Sequence, residues 1–139
     1  MISVDPGLKA GWASWGPFYL QDCGLVEKEW RIQTPLLVIE RPTIYPRSPV
    51  PPDDIVALAL TAGRLSAHAD SVEWVLPRRW KGTVPKEVMA ERILERLGPL
   101  ERAIYDEAVT KVAPKVRHNV IDAIGLGLWY LKRIGTGGI

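Results

Sequence analysis

The sequence is poor in cysteine, phenylalanine and histidine, and it has no long uninterrupted apolar run. Its 139 residues include one cysteine, Cys23, together with one phenylalanine and two histidines. A single cysteine excludes an internal disulfide and a cysteine-rich zinc site, and it favours a reducing, cytoplasmic setting. Charges or glycines interrupt the apolar runs well before the ~20 residues that a membrane-spanning helix needs, so we expect no membrane span. The strand-like start at residues 2–4 predicts that no signal peptide is present.

Length and composition favour a single domain over residues 1–139. Hydrophobic residues make up 47% of the chain and charged residues 24%, a balance that is typical of a globular protein and excludes disorder throughout. The chain is too short for a barrel of eight βα units, or for a dinucleotide-binding domain joined to a substrate domain.

The net charge of +2 is small, but basic residues are concentrated in two segments without acids, 76–86 and 111–118. These segments contain Arg78, Arg79, Lys81, Lys86, Lys111, Lys115 and Arg117. A locally positive surface attracts a polyanion such as nucleic acid. An ordinary solvated surface has the same composition, so charge alone leaves both interpretations open.

Alternating apolar residues and turn signals predict five strands. They lie at residues 2–5, 10–16, 18–26, 36–39 and 72–76. The first three are predicted to form an antiparallel meander. The fourth is a β-branched apolar run, which predicts a doubly buried central strand.

Helices are predicted after a proline-rich loop at residues 42–52. They cover residues 53–69, 85–97, 100–112 and 116–133. The first is apolar nearly all round, which predicts burial either fully within the fold or partly against a partner. The order of the elements predicts an α/β architecture, with a mixed sheet and helices.

Three acids occupy positions where apolar surroundings are expected. Asp5 ends the first strand, Glu40 ends the apolar run at 36–39, and Asp122 lies within the last helix. An unpaired carboxylate in a dry interior costs several kcal/mol, so each needs a cation or a cleft. If the three converge, their oxygen atoms suit Mg²⁺ or Mn²⁺.

Each acid also has a purely structural interpretation. Asp5 opens an Asp-Pro-Gly sequence that is typical of a turn. Ion pairs would satisfy the other two acids: Glu40 with Arg31 or Arg41, and Asp122 with Lys115 or Arg117.

His118 and Asn119 precede Asp122 by four and three residues and therefore share its helix face. His118 is a candidate general base, proton carrier or phosphate-positioning residue, whereas a lone histidine at a helix start is more often a surface or capping residue. Gly125 follows Asp122 by three residues, and we expect it to let the helix backbone approach the sheet closely.

These positions carry a family resemblance. The segments ISVDPGLKAGW at 2–12, VIERP at 38–42 and HNVIDAI at 118–124 resemble the RuvC family of Holliday junction resolvases, in the RNase H-like superfamily. WVLPRRWKGTVPK at 74–86 resembles the phage-encoded branch. The resemblance covers most of the chain. It implies an RNase H-like fold: a five-stranded mixed sheet, strands 1–3 antiparallel, with helices on both faces.

The resemblance implies a homodimeric, metal-dependent endonuclease that resolves four-way DNA junctions in recombination and repair. Asp5, Glu40 and Asp122 match the family's catalytic, metal-binding acids. Two Mg²⁺ ions, replaceable by Mn²⁺, are implied: one on Asp5 and Asp122 to activate water, one on Asp5 and Glu40 to stabilise the leaving 3′ oxygen. The family usually has Asp or His three residues before the last acid. Asn119 stands there, so either its amide oxygen or His118 completes the site.

The expected DNA interface combines basic and aromatic residues. Phosphate contacts are expected from Arg78, Arg79, Lys81 and Lys86, with Arg41, Lys115 and Arg117 in addition. Trp80 and Tyr45 are candidates for stacking on an unpaired base, while Trp80 alternatively anchors its loop to the core. Helix 53–69 follows the Glu40 strand, where this family places much of its dimer interface, so we expect a twofold homodimer through it.

Other functions stay open. The strand–Asp–x–Gly opening is shared with actin-like and sugar-kinase-like domains, although those need a second, similar half. A related nuclease acting on flaps, forks or RNA hybrids, and a non-catalytic protein that binds branched DNA, also agree with the sequence.

Overall fold

The computed structural model describes residues 1–27, 30 and 33–139. The secondary structure in these ranges consists of β1 (Ile2–Asp5), β2 (Gly11–Trp15), β3 (Leu20–Leu25), β4 (Thr34–Glu40), α1 (Pro52–Ser66), β5 (Ala69–Val75), α2 (Pro77–Trp80), α3 (Lys86–Glu95), α4 (Pro99–Val109) and α5 (Arg117–Tyr130). Short 3-10 turns precede and follow α5. In the described part of the chain, no helix has the length and apolar character needed to cross a membrane.

The strands form one mixed sheet in the order β3-β2-β1-β4-β5. β2 pairs antiparallel with both β1 and β3, which confirms the predicted meander. β4 pairs parallel with β1 and with β5. The expectation that the run at 36–39 is the central strand is wrong, because β1 is the middle strand. The run is apolar because β4 has a strand on either side and a covered surface on both faces.

Side chains of β1 and β4 alternate between two apolar layers, one on each face of the sheet. The layer beneath α1 contains Ile2, Val4, Leu37, Ile39, Ala62 and Leu65. On the opposite face, Val38 packs in the layer that includes α3 and α5, and Ser3 donates a hydrogen bond to α5. Helices therefore flank both faces. Asp5 and Glu40 lie two residues beyond Ser3 and Val38, so alternation places them on the α5 side.

α5 packs closely across the sheet because β2 begins with a glycine. A Cβ at Gly11 would overlap the carbonyl oxygen of Asn119 and lie 2.7 Å from the next backbone nitrogen of α5. Gly125 was expected to let α5 approach the sheet, and this expectation is wrong. A Cβ there would overlap Ile93 of α3 and lie 2.8 Å from the Trp80 ring, so this glycine lets other helices approach, not the sheet.

Most predicted element boundaries hold to within a few residues, with three differences. The helix predicted over 53–69 ends at Ser66, because Ala69 already pairs with Thr34 in the sheet. Pro77–Trp80, expected only as part of a basic segment, forms the short helix α2. The last helix ends at Tyr130, and Lys132 adopts the left-handed conformation (φ 58°) just beyond it.

Candidate active site

Asp5 and Glu40 end neighbouring parallel strands. The register pairs Val4 with Ile39, the residues immediately before the two acids. Because the carboxyl ends of parallel strands meet at the same edge of a sheet, both carboxyl groups lie at one edge and on one face.

Asp122 is brought to the same edge by a buried hydrogen-bond chain. The Ser3 hydroxyl donates to the carbonyl oxygen of Ala123 at 2.6 Å, and the Trp15 indole N–H donates to the Ser3 hydroxyl at 2.8 Å. These bonds fix α5 to β1 and β2 at the residue that follows Asp122. Asp122 therefore lies over the strand that ends in Asp5.

A lysine joins two of the acids. Lys81 Nζ lies 3.1 Å from Glu40 Oε2 and 2.9 Å from Asp122 Oδ2. Burial alone would lower the pKa of Lys81, but the negative charges of Glu40, Asp122 and Asp5 raise it above its usual value. The amine is therefore held in its charged form.

Asp5 lies in an environment that disfavours its negative charge. Burial raises the pKa of its carboxyl well above the usual range, and the charges of Glu40 and Asp122 raise it further. Lys81 and Lys86 oppose this effect without cancelling it. A carboxyl group in this environment is satisfied by a proton or by an additional cation.

Trp80 supports the site from the core and is fully buried, at 0% exposure. Its indole N–H donates a hydrogen bond to Glu40 Oε2 at 2.9 Å, and the Lys81 ammonium lies 4.8 Å from the ring centroid. The expectation that Trp80 stacks on a DNA base does not agree with this position, because the ring has no exposed face. The alternative, that Trp80 anchors its loop to the core, describes the observed contacts.

His118 and Asn119 both line the cleft that contains Asp5, Lys81 and Asp122, with a volume of about 330 Å³. His118 is half-buried and Asn119 is buried. Both candidates for the fourth catalytic position therefore lie beside the acids, one helix turn from Asp122.

The side chains of this site have the donor atoms that a divalent cation needs, but their present arrangement does not form a coordination site. Across residues 1–27, 30 and 33–139, no group of three or more His, Cys, Asp or Glu side chains is arranged to hold a metal ion. The cation between the carboxylates is the Lys81 ammonium. The carboxylate oxygens of Asp5, Glu40 and Asp122, with the Asn119 amide, are the donor type that Mg²⁺ and Mn²⁺ prefer.

A second cavity, of about 390 Å³, adjoins this cleft. Lys81 and Val84 belong to the lining of both, so the two cavities lie side by side. Arg78 and Tyr45 line the second cavity, with the Arg78 guanidinium 5.5 Å from the Tyr45 ring centroid. We call these two adjacent cavities together the groove; its charged and aromatic residues are Asp5, Tyr45, Arg78, Lys81, Lys86, His118 and Asp122.

The remaining basic candidates lie outside the groove. Arg79 stacks over the Trp129 ring in a separate cavity, and Arg41 lines another cavity, beside α1. Lys115 is exposed, and Arg117 donates a hydrogen bond from Nε to the carbonyl oxygen of Val112 at 3.1 Å. The expected basic interface is therefore divided, and only part of it faces the acids.

The structural interpretations of the acids named the wrong cations. In the described ranges the ion-pair partner of both Glu40 and Asp122 is Lys81, and the pairs with Arg41, Lys115 and Arg117 do not form. Arg31 lies outside the described residues. Lys81 was expected only as a phosphate contact, and nothing in the sequence distinguishes it from Lys86, so its pairing becomes visible only in three dimensions.

Comparison with protein-family models gives no match for this chain, and comparison with curated proteins gives none either. The site is accordingly defined by its own geometry. It is an acidic cleft beside an ammonium group that pairs with Glu40 and Asp122, at the carboxyl edge of a mixed α/β sheet, and the cavity next to it is partly basic.

Proposed function

We propose that this chain is a metal-dependent nuclease with an RNase H-like fold that resolves four-way DNA junctions as a homodimer. One observation carries the proposal. Asp5, Glu40 and Asp122 are widely separated in sequence, yet they gather beside Lys81 from the elements that the RuvC resemblance implies. The strand order β3-β2-β1-β4-β5, with the first three strands antiparallel, supports the same fold.

The carboxylates are suited to hold two divalent ions, one on Asp5 and Asp122 and one on Asp5 and Glu40. A divalent ion held by these residues would lower the pKa of a bound water and would stabilise negative charge on the leaving 3′ oxygen. The chain's own residues do the rest. The Trp80 N–H fixes the orientation of the Glu40 carboxylate, and Lys81 is placed to donate to a phosphate oxygen in the groove.

The groove is suited to the DNA backbone. Arg78, Lys81 and Lys86 supply positive charge along it, and Tyr45 offers a ring at its far end. Phosphate contacts of this kind make affinity fall as salt rises. A branched substrate is recognised mainly through shape and backbone, which needs few base contacts.

The variant Asp5→Asn tests the nuclease assignment in a cleavage assay. We expect the variant to lose cleavage of a labelled four-way junction with Mg²⁺ or Mn²⁺, while it still binds the junction. Asp70→Asn, the same change at an exposed carboxylate, is the matched control and should cleave like the wild type. Cleavage by Asp5→Asn would end this assignment. A panel of three-way, flap, fork and hybrid substrates separates junction resolution from the related nuclease activities, and binding without cleavage by the wild type would identify a non-catalytic protein.

Two adjacent arginines test the groove. Arg78 lines it and Arg79 does not, so Arg78→Ala should weaken junction binding and reduce the salt dependence by about one phosphate contact. Arg79→Ala removes the same charge one residue away and should have a smaller effect. Equal losses from the two variants would contradict the proposed DNA path.

The α1 helix supports the proposed dimer. It buries only Ala62 and Leu65 in the described structure, so the alternative that this helix is fully buried within one chain is wrong. Its outer side presents Val56 and Leu60, the latter 71% exposed. An apolar helix face of this kind is suited to burial against a second copy across a twofold axis.

Leu60→Glu tests that interface. We expect light scattering at micromolar concentration to give a dimeric mass for the wild type and a monomeric mass for the variant. Leu100→Glu places the same charge on α4, at a leucine that is 81% exposed, and should leave the dimer intact. A monomeric wild type would contradict the dimer proposal.

A further inference from the structure

We propose that Lys81 competes with the divalent ion for the acidic site, and that a DNA phosphate relieves this competition by taking up its ammonium group. This inference rests on the proposed nuclease function, because it concerns the same carboxylates. It makes Lys81 a device that couples metal binding to substrate binding.

The contacts of one nitrogen atom carry the inference. Lys81 Nζ is within hydrogen-bond distance of both Glu40 and Asp122, at 3.1 and 2.9 Å. These two acids are the ones assigned to different metal ions. A single ammonium group therefore uses oxygen lone pairs from both ion positions and places a positive charge beside each of them.

The backbone of Lys81 is held in place, so its side chain can move away from the carboxylates while the main chain stays fixed. The neighbouring Trp80 is fully buried, and the Lys81 N–H donates to the carbonyl oxygen of Pro77 at 2.9 Å, so the main chain is held by α2. The side chain is 28% exposed and lines both halves of the groove. Its four-carbon stem can therefore swing the ammonium from the carboxylates to a phosphate in the groove.

Coupling follows from the charges. While Lys81 pairs with the carboxylates, an incoming divalent ion must displace it. A phosphate that accepts the ammonium removes this competition, so DNA raises metal affinity. By thermodynamic linkage the metal raises DNA affinity by the same factor.

Metal titration of variants tests the competition. We expect calorimetric titration with Mn²⁺ to show about five- to tenfold tighter binding to Lys81→Met than to the wild type, the scale of losing two partly exposed ion pairs. Lys81→Gln, which keeps a polar end, should behave similarly and carries the test if the methionine variant does not fold. Lys111→Met is the matched control. It removes the same charge from an exposed position outside the groove, and its affinity should stay within about twofold of the wild type.

A second titration tests the coupling. With a phosphorothioate four-way junction that resists cleavage, Mn²⁺ affinity should rise for the wild type and stay nearly constant for Lys81→Met. Thermal unfolding in the absence of metal checks that each variant is folded. A DNA-induced rise of equal size in both proteins would overturn the coupling.

The outcomes separate this inference from the proposed function. Unchanged or weaker Mn²⁺ binding by both Lys81 variants would overturn the competition even if the wild type cuts junctions. Tighter binding by the variants together with a wild type that cuts no branched DNA would support the competition and refute the nuclease. Failure of every protein to bind Mn²⁺ would refute both.

Discussion

Glu101→Gln is expected to destabilise the fold at neutral pH, far from the acidic cleft. Glu101 is buried at the start of α4 and accepts hydrogen bonds from the backbone N–H groups of Leu20 and Gly98, at 2.8 and 2.9 Å. Arg133 donates a hydrogen bond to the same carboxylate from each of its two terminal nitrogens, at 2.6 and 2.7 Å. One side chain thus ties α4 to β3 and to the chain beyond α5.

The size of the effect follows from the pKa of Glu101. Burial alone would raise it, but the hydrogen bonds from Arg133, Leu20 and Gly98 lower it from 4.5 to about 2. At 1.36 kcal/mol per pKa unit, the charged form contributes about 3 kcal/mol to the free energy of unfolding. Because the folded-state pKa is the lower one, this contribution is complete above pH 4.5 and is lost as the pH falls towards 2.

Urea unfolding at pH 7 and at a series of acidic pH values measures this contribution. Glutamine keeps the size and one carbonyl oxygen but not the charge, so Glu101→Gln should lose about 3 kcal/mol at pH 7. The difference from the wild type should shrink below pH 4.5. Glu107→Gln, on the exposed side of the same helix, should change stability by less than about 0.5 kcal/mol. An unchanged midpoint for Glu101→Gln at pH 7, or a gap that persists at pH 2, would refute the reasoning.

Three further predictions use the same or simpler assays. Gly11→Ala should cost at least about 3 kcal/mol, because its Cβ would overlap the α5 backbone, whereas Gly63→Ala, with open space around its Cβ, should stabilise α1 by about 0.5–1 kcal/mol; similar effects from both would contradict the close approach of α5. Burial, helped by a neighbouring aspartate, raises the pKa of Cys23 to about 12, so iodoacetamide at pH 8 should label it only in urea, and rapid labelling of the native protein would contradict this. Asp5→Asn should stabilise the metal-free protein by about 1 kcal/mol in urea unfolding, because it removes one of three clustered negative charges; a loss of stability would show that Lys81 already neutralises the cluster.

The elements of this fold are predictable from local sequence more accurately than their order in the sheet. Alternation at residues 10–16 and the turn around Pro6 define the meander without long-range information. The apolar run at 36–39 indicates that this strand is covered on both faces. It carries no information about which strands are its neighbours, so the prediction that it is the central strand of the sheet was wrong. The end of α1 was also misplaced. Residues 67–68 are neither proline nor glycine, and the helix stops there because β5 has begun to pair with β4.

The acidic site is partly predictable for a physical reason. A carboxylate at the end of an apolar strand or within an apolar helix is costly unless other groups share its environment, so Asp5, Glu40 and Asp122 are conspicuous in the sequence. A lysine in a basic, exposed segment costs no folding free energy, so nothing in the sequence marks Lys81 as a residue of the site. Its contact with Glu40 spans 41 positions and depends on α2, a four-residue helix that periodicity does not detect.

Lys81 and Trp80 explain how these acids gather before any ligand arrives. The chain must fold in the absence of substrate, and the charges of Glu40 and Asp122 repel that of Asp5. An ammonium group shared by Glu40 and Asp122, and an indole N–H on Glu40, offset part of that repulsion. Under the proposed competition, the two Lys81 contacts that stabilise the free protein are also those that an incoming metal ion has to replace. If the proposed competition holds, such a site would have lower metal affinity in the free state in exchange for stability, and it would recover that affinity when an anionic substrate takes up the lysine.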